Sequence, residues 1–337
     1  MNILVTGGTG YIGSHTIVEL IANGHEVSVV DNLANSSVGV ISRIKKITGK
    51  EPKLYTFDLC DKEATSNLFK KNSFDAVIHF AGLKAVGESV QLPLTYYENN
   101  LLSTISLLNA MLDNDVDRLI FSSSATVYGS TDTTRYRETL PAGHDISNPY
   151  GRTKYMIEEM IKDIGNANDS FEATILRYFN PIGAHESGEI GENPLGLPNN
   201  LMPFITQVAT GKREELLIFG NDYPTEDGTC KRDFIHVVDL ARGHVAALKK
   251  SSPGTHIYNL GSGIPTSVLQ LVNTFSSISG KSIKYRFTSR REGDLAEFYA
   301  DPSKAELELG WKVEKSIEDM CRDTWNWQLK NPNGYDR

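Results

Sequence analysis

The sequence predicts a doubly wound α/β fold: a parallel sheet covered by helices on both faces, followed by a smaller α/β domain. Three observations carry this. The chain opens on a short apolar strand that runs into a turn with glycines at Gly7, Gly8, Gly10 and Gly13 and then into a helix. The first half goes on to alternate continuous apolar runs with helical stretches, as parallel strands buried on both faces do. Small or polar residues (Asp31, Asp58, Ala81, Ser124) close these runs. Ligands of open parallel sheets gather at that end of the strands.

In chain order, residues 3–5 read as the first strand and 15–22 as a helix. The glycines between them satisfy G-x-G-x-x-G from Gly8 and G-x-x-G-x-x-G from Gly7. Such spacing permits a tight turn, close approach of backbone to a pyrophosphate, and packing of helix on strand. The helix start adds free N–H groups and a positive dipole end. A second strand, 26–30, ends in Asp31, eighteen positions past Gly13. A carboxylate there accepts from both ribose hydroxyls of NAD and repels the 2′-phosphate of NADP, so the cofactor expected is NAD. Strands follow at 53–57, 75–80 and 118–121, with helices at 61–71 and 92–114.

Residues 130–148 are polar, contain Pro141 and Gly143, and read as a surface loop delivering Tyr150-Gly-Arg-Thr-Lys154 at the head of a helix running to about 164. Residues four apart share one helical face, so phenol and ammonium address the same point. A nearby cation lowers a tyrosine pKa from its usual value of about 10. Such a tyrosine can remove a hydroxyl proton while hydride leaves the same carbon. Ser124, at a strand end, can hydrogen-bond the same oxygen. A Tyr-x3-Lys pair by itself is usually a solvated helix face; the glycine turn and the strand-end serine make this one a candidate catalytic pair.

The 337 residues suggest about two domains. A net charge of −8 argues against non-specific binding to nucleic acid or an anionic membrane, so an anionic ligand must meet locally placed arginines. Cys60, Cys230 and Cys321 form an odd, scattered set with no CxxC, as expected of a reducing cytoplasm; no metal site is indicated. No apolar run reaches the length of a membrane span, and no signal peptide is expected before the first strand.

The chain resembles the UDP-glucose 4-epimerases of the extended short-chain dehydrogenase/reductase family over nearly its whole length. The resemblance rests on residues 6–15 (TGGTGYIGSH), 79–89 (HFAGLKAVGES), 121–129 (FSSSATVYG), 150–154 and 176–185 (LRYFNPIGAH). It continues through 199–204 (NNLMPF), 218–240 (IFGNDYPTEDGTCKRDFIHVVDL) and 290–295 (RREGDL). It implies a Rossmann-type NAD-binding domain over 1–180, to which about 232–250 return, and a UDP-sugar-binding domain over 181–337. It also implies a homodimer and an interconversion of UDP-glucose and UDP-galactose through a 4-keto sugar, a step of galactose metabolism.

By the same resemblance Tyr150 is the base, Ser124 its partner at the sugar O4, and Lys154 holds the nicotinamide ribose and tunes Tyr150. The NAD set is Gly7, Gly10, Tyr11, Ile12, Gly13, Asp31, Asn32, Asn35, Ser36, Asp58, Leu59, Phe80, Ala81, Gly82, Lys84, Asn99, Ser124, Tyr150, Lys154 and Tyr178. The substrate set adds Asn180, Asn199, Asn200, Leu201, Phe219, Arg232, Phe234, Arg291, Asp294 and Phe298 to Ser124 and Tyr150. Arg232 and Arg291 suit a diphosphate, Asp294 a ribose hydroxyl and Phe219 the uracil. Phe234 stands where the family usually has tyrosine. Phe298, before Tyr299-Ala300-Asp301, is expected at the sugar-pocket wall, where its bulk excludes an N-acetyl group on C2. Two rival activities are disfavoured. A sugar-nucleotide dehydratase has an Asp-Glu pair where this chain has Ala125 and Thr126. A silent NAD-binding regulator tends to lose the tyrosine or lysine, and both are kept.

Overall fold

The computed structural model describes every residue except 197, 292, 336 and 337. The chain begins with β1 (Asn2–Thr6), α1 (Tyr11–Ala22), β2 (Glu26–Asp31), α2 (Gly39–Thr48), β3 (Lys53–Thr56), α3 (Lys62–Lys71) and β4 (Ala76–His79). A short α4 (Val86–Gln91) precedes the long α5 (Pro93–Leu112) and β5 (Arg118–Ser124). A 3-10 turn, Ala125–Tyr128, and the two-residue β6 (Arg135–Tyr136) lead to α6 (Pro149–Ala167), β7 (Glu172–Tyr178) and β8 (Asn180–Ile182). Next come α7 (Leu201–Ala209), β9 (Leu216–Phe219), β10 (Lys231–His236), α8 (Val237–Lys249) and β11 (Gly254–Leu260). The chain closes with β12 (Pro265–Ser267), α9 (Val268–Ser279), β13 (Tyr285–Thr288), β14 (Glu297–Ala300), α10 (Ser303–Leu309) and α11 (Ile317–Lys330).

Seven parallel strands form the main sheet in the order β11-β7-β5-β4-β1-β2-β3. Ile3 and Val5 face one core with α1, α2 and α8; Leu4 faces the other with α3, α5 and α6. That alternation is the two-residue period of a strand, with both faces apolar because both are covered. The order reverses between β1 and β4, which opens a crevice at the carboxyl ends of the strands. A second lobe carries the sheet β12-β10-β14-β6, with β8 on β10 and a β9–β13 pair, around its own core of α7, α9 and α11 residues.

The structure bears out the alternating fold and adds to the pattern. Residues 39–48 and 268–279 are helices to which the sequence reading assigns no element; the first buries Val40, Ile41 and Ile44, a narrow stripe on a basic helix. The expected helix from residue 92 starts at Pro93, which fits the first turn because it needs no N–H donor. Within the expected loop, β6 pairs with β14. Helix α8 packs on α1, and β11 extends the main sheet beyond β7. Among the described residues, no helix is long and apolar enough to cross a membrane.

Candidate active site

The glycine turn is built by close approach. At Gly7 (φ +68°) a side-chain carbon would stand 2.7 Å from the Ala81 nitrogen, and at Gly13 it would meet the Gly7 carbonyl oxygen at 2.5 Å. The turn therefore lies against the end of β4 while α1 starts directly over β1. No side chain caps the α1 N-terminus, so its first amides point toward the crevice with the helix dipole behind them. Across the turn, Asp31 is buried and accepts from the Thr9 and Leu33 amides at 3.1 and 2.9 Å and from Ser36 Oγ at 2.9 Å. Leu33 reaches it from the left-handed region (φ 58°). Asn32 donates to Asp58, whose other oxygen takes the Cys60 amide; Leu59 is buried beside them. Asn35 is exposed, and Asn99 lies beside Cys60. A glycine cradle, an uncapped helix start and an aspartate at the tip of β2 fit an NAD pyrophosphate and adenosine ribose.

At the next strand ends, β5 supplies Ser122, Ser123 and Ser124, paired with Leu176, Arg177 and Tyr178 of β7. Asn148 caps α6 by accepting from the Gly151 amide at 2.8 Å, which sets Tyr150 in the first turn. The Ser124 side chain lies against the Tyr150 phenol. Burial pushes the phenol above its ordinary pKa, and the serine contact offsets part of that rise. The Lys154 ammonium donates to the Ser122 carbonyl at 2.6 Å and stands 4.8 Å over the Phe121 ring. Burial brings Lys154 itself down to about 8, against an opposing pull from Glu158.

Tyr178 hydrogen-bonds His244, and its hydroxyl lies close enough to Ser122 and Tyr150 to feel both. His244 also engages the Leu240 carbonyl at 2.8 Å and packs on Phe80 with ring centroids 4.8 Å apart. Gly82 and the partly buried Ala81 follow β4. Lys84 acts electrostatically on Glu192, and Tyr11 donates to the Gly183 carbonyl at 2.6 Å, so the segment after β8 lies against the site.

In the second lobe, Arg232 pairs with Asp294, donates to the Leu295 carbonyl at 2.8 Å and stacks 4.8 Å over Phe298. Arg291 lies 4.0 Å over Phe219. The expected diphosphate donors, uracil platform and sugar-wall ring are thus neighbours. Phe298 also touches the rings of Tyr136 and Phe179 at 5.7 and 6.0 Å. Asn180 donates to the Asp233 carbonyl and Asn200 to Glu192; Leu201 opens α7, and Asn199 is exposed. Phe234 is buried with Met202, Ile205 and Phe275 in the second-lobe core, where a ring without a hydroxyl belongs. Residue 292, inside the 290–295 motif, lies outside the described residues.

Sequence reading missed Glu158 and Arg177, a fully buried ion pair under the serine strand end. The available signal was position: Glu158 continues the Tyr150, Lys154 spacing by another four residues along one face of α6. Nor did it single out Thr6, whose hydroxyl bridges His79 at 2.7 Å and the Ala81 amide at 3.3 Å.

The model of the NAD dependent epimerase/dehydratase family matches residues 3–261. UDP-glucose 4-epimerases of Bacillus subtilis (strain 168) and Yersinia pestis are each 56% identical over 337 residues, covering 99% of this chain and 99% of theirs. Among solved structures, UDP-glucose 4-epimerase from Bifidobacterium longum in complex with NAD+ and UDP superposes with a TM-score of 0.96 at 49% identity. That match covers 99% of this chain and 100% of the other.

Proposed function

The chain belongs to the NAD-dependent epimerase/dehydratase family, and from that premise we propose that it interconverts UDP-glucose and UDP-galactose by inverting C4 of the hexose. The carrying observation is the convergence of Ser124 and Tyr150, side by side, on the crevice beside the glycine cradle. Bound NAD supplies the hydride acceptor and donor for such an oxidation and re-reduction. The glycine turn, the α1 start and Asp31 hold it.

Tyr150 takes the O4 proton, and Ser124 steadies the oxygen as it becomes a ketone. Lys154 places a positive charge one helical turn from Tyr150, which eases formation of the phenolate that burial opposes. Arg232 and Arg291 grip the diphosphate, with Phe219 against the uracil. Held by its nucleotide end, the sugar is free to turn and offer its other face, after which Tyr150 returns the proton. A dehydratase needs an acid and a base beside Ser124. Here Ala125 offers no functional group, and Thr126 donates its hydroxyl to Ser124 at 3.0 Å. The exposed Val90, Leu94, Ile105 and Met156 of α4, α5 and α6 support a homodimer through these helices.

A coupled assay of UDP-galactose conversion to UDP-glucose tests the reading. Turnover is expected without net NADH accumulation, because the hydride removed is the hydride returned. Stoichiometric NADH release would indicate a dehydrogenase instead.

A further inference from the structure

Helix α6 carries three polar side chains four residues apart on its inner face: Tyr150, Lys154 and Glu158. The third is fully buried. Its carboxylate accepts from Ser123 Oγ at 2.5 Å and, in a two-pronged grip, from Arg177 Nε at 3.0 Å and Nη2 at 2.6 Å. Arg177 in turn stacks 4.5 Å over Tyr128, which donates to Asn259 of β11 at 2.7 Å. Ser123 sits between Ser122, whose carbonyl takes the Lys154 ammonium, and Ser124, the partner of Tyr150. A buried ion pair of this kind is weak evidence for stability, since apolar residues of similar volume often serve as well. Its place calls for another reason.

We propose that Glu158 and Arg177 are positioning residues for the reaction. They lock the Ser122–Ser124 strand end against α6, and the Glu158 carboxylate, one helical turn from Lys154, supplies the counter-charge to its ammonium in a dry site. The inference rests on the epimerase reading for what Lys154 does and on the geometry alone for what holds it. Arg177 is bound bidentately to the carboxylate and stacked on the Tyr128 ring, so it is fixed by shape as well as charge. The groups around Lys154 are few. Glu158 and Tyr150 share its helix, Arg177 and Tyr178 come from β7, and His79 of β4 is held neutral by burial. Tyr96 of α5, bonded to Glu88 of α4, reaches only Tyr150. Glu158 is thus the one carboxylate among these groups that acts directly on Lys154. Removing it leaves desolvation unopposed and strips the Arg177 charge of its partner, so the Lys154 pKa should fall.

The test follows Lys154 by the 13Cε resonance of labelled lysine in the holoenzyme, assigned by its loss in Lys154→Met, alongside pH profiles of kcat and KM for UDP-galactose. In Glu158→Gln the Lys154 midpoint and the alkaline limb of kcat should both fall by about 1 pH unit, with KM within about twofold of wild type. Glu158→Asp, which keeps the charge, should stay nearer wild type. If Glu158→Gln does not fold, Glu158→Met/Arg177→Met removes both charges at similar volume and should fold with a lowered Lys154 midpoint. A midpoint equal to wild type in the folded charge-deleted variant overturns the proposal. Should wild type fail to convert UDP-galactose while the resonance still shifts, the epimerase reading fails and the positioning role stands.

Discussion

Tyr150 holds its proton more tightly in this protein than a free tyrosine does, because the site that makes it reactive also desolvates it. Its value as a base then depends on the charges brought to it, and its removal should be severe. Tyr150→Phe is expected to lower kcat by about 10²–10⁴-fold, the usual range for one general base. UDP affinity, measured by calorimetry, should persist because Arg232, Arg291 and Phe219 lie on other elements. Phe298 sets a second expectation. Packed between Tyr136, Phe179 and the Arg232 guanidinium, its ring has little freedom to retreat. Phe298→Cys should raise turnover of UDP-N-acetylgalactosamine while largely preserving that of UDP-galactose. Equal turnover of both sugars by wild type would remove Phe298 as the gate.

At the scale of elements, α6 is the part whose role reads most directly from the sequence. Its Tyr-x3-Lys spacing gives one face, and Asn148 and Pro149 give its start. The glycine turn and Asp31 were legible for the same reason: local backbone geometry demands particular residues at fixed spacing. The second lobe was less legible. Its strands are short, several pair with partners far away in sequence, and Phe234 gives no local sign that it faces inward. Spacing alone pointed to Glu158, and its pairing with Arg177 is a contact made only when α6 lies across β5 and β7. Lys154→Met separates the two ends of α6. With the helical cation gone, the phenolate loses its stabilising charge, and the acid limb of the pH–rate profile should move to higher pH as the rate falls.

For the molecule as a whole, acid is the expected weakness. Burial holds His15 and His79 down at about 3 and His244 at about 4, against an ordinary value of 6.5. Below 6.5 the unfolded chain takes up protons that the folded chain refuses. The stability held by each neutral ring is therefore complete above that pH and drains away as pH falls toward 3–4, by at most about 1.4 kcal/mol per unit per group. Melting temperature should decline from pH 7 to pH 5, and His79→Gln should flatten the decline. The path of the chain between lobes has a different consequence. It visits β6 of the second lobe between β5 and α6, crosses from β7 to β8, returns from β10 into α8 and β11, leaves again for β12, and comes back from β14 to α10 on β11. A fragment ending at residue 180 would lose the edge strand β11 and the α8 cover over α1, so it should be unfolded by circular dichroism. Mixed with the remainder of the chain it should regain signal, as two halves of one cooperative unit do. The crevice lies across these repeated crossings, so opening and closing over a ligand amounts to flexing a many-stranded joint, with small excursions and little slack.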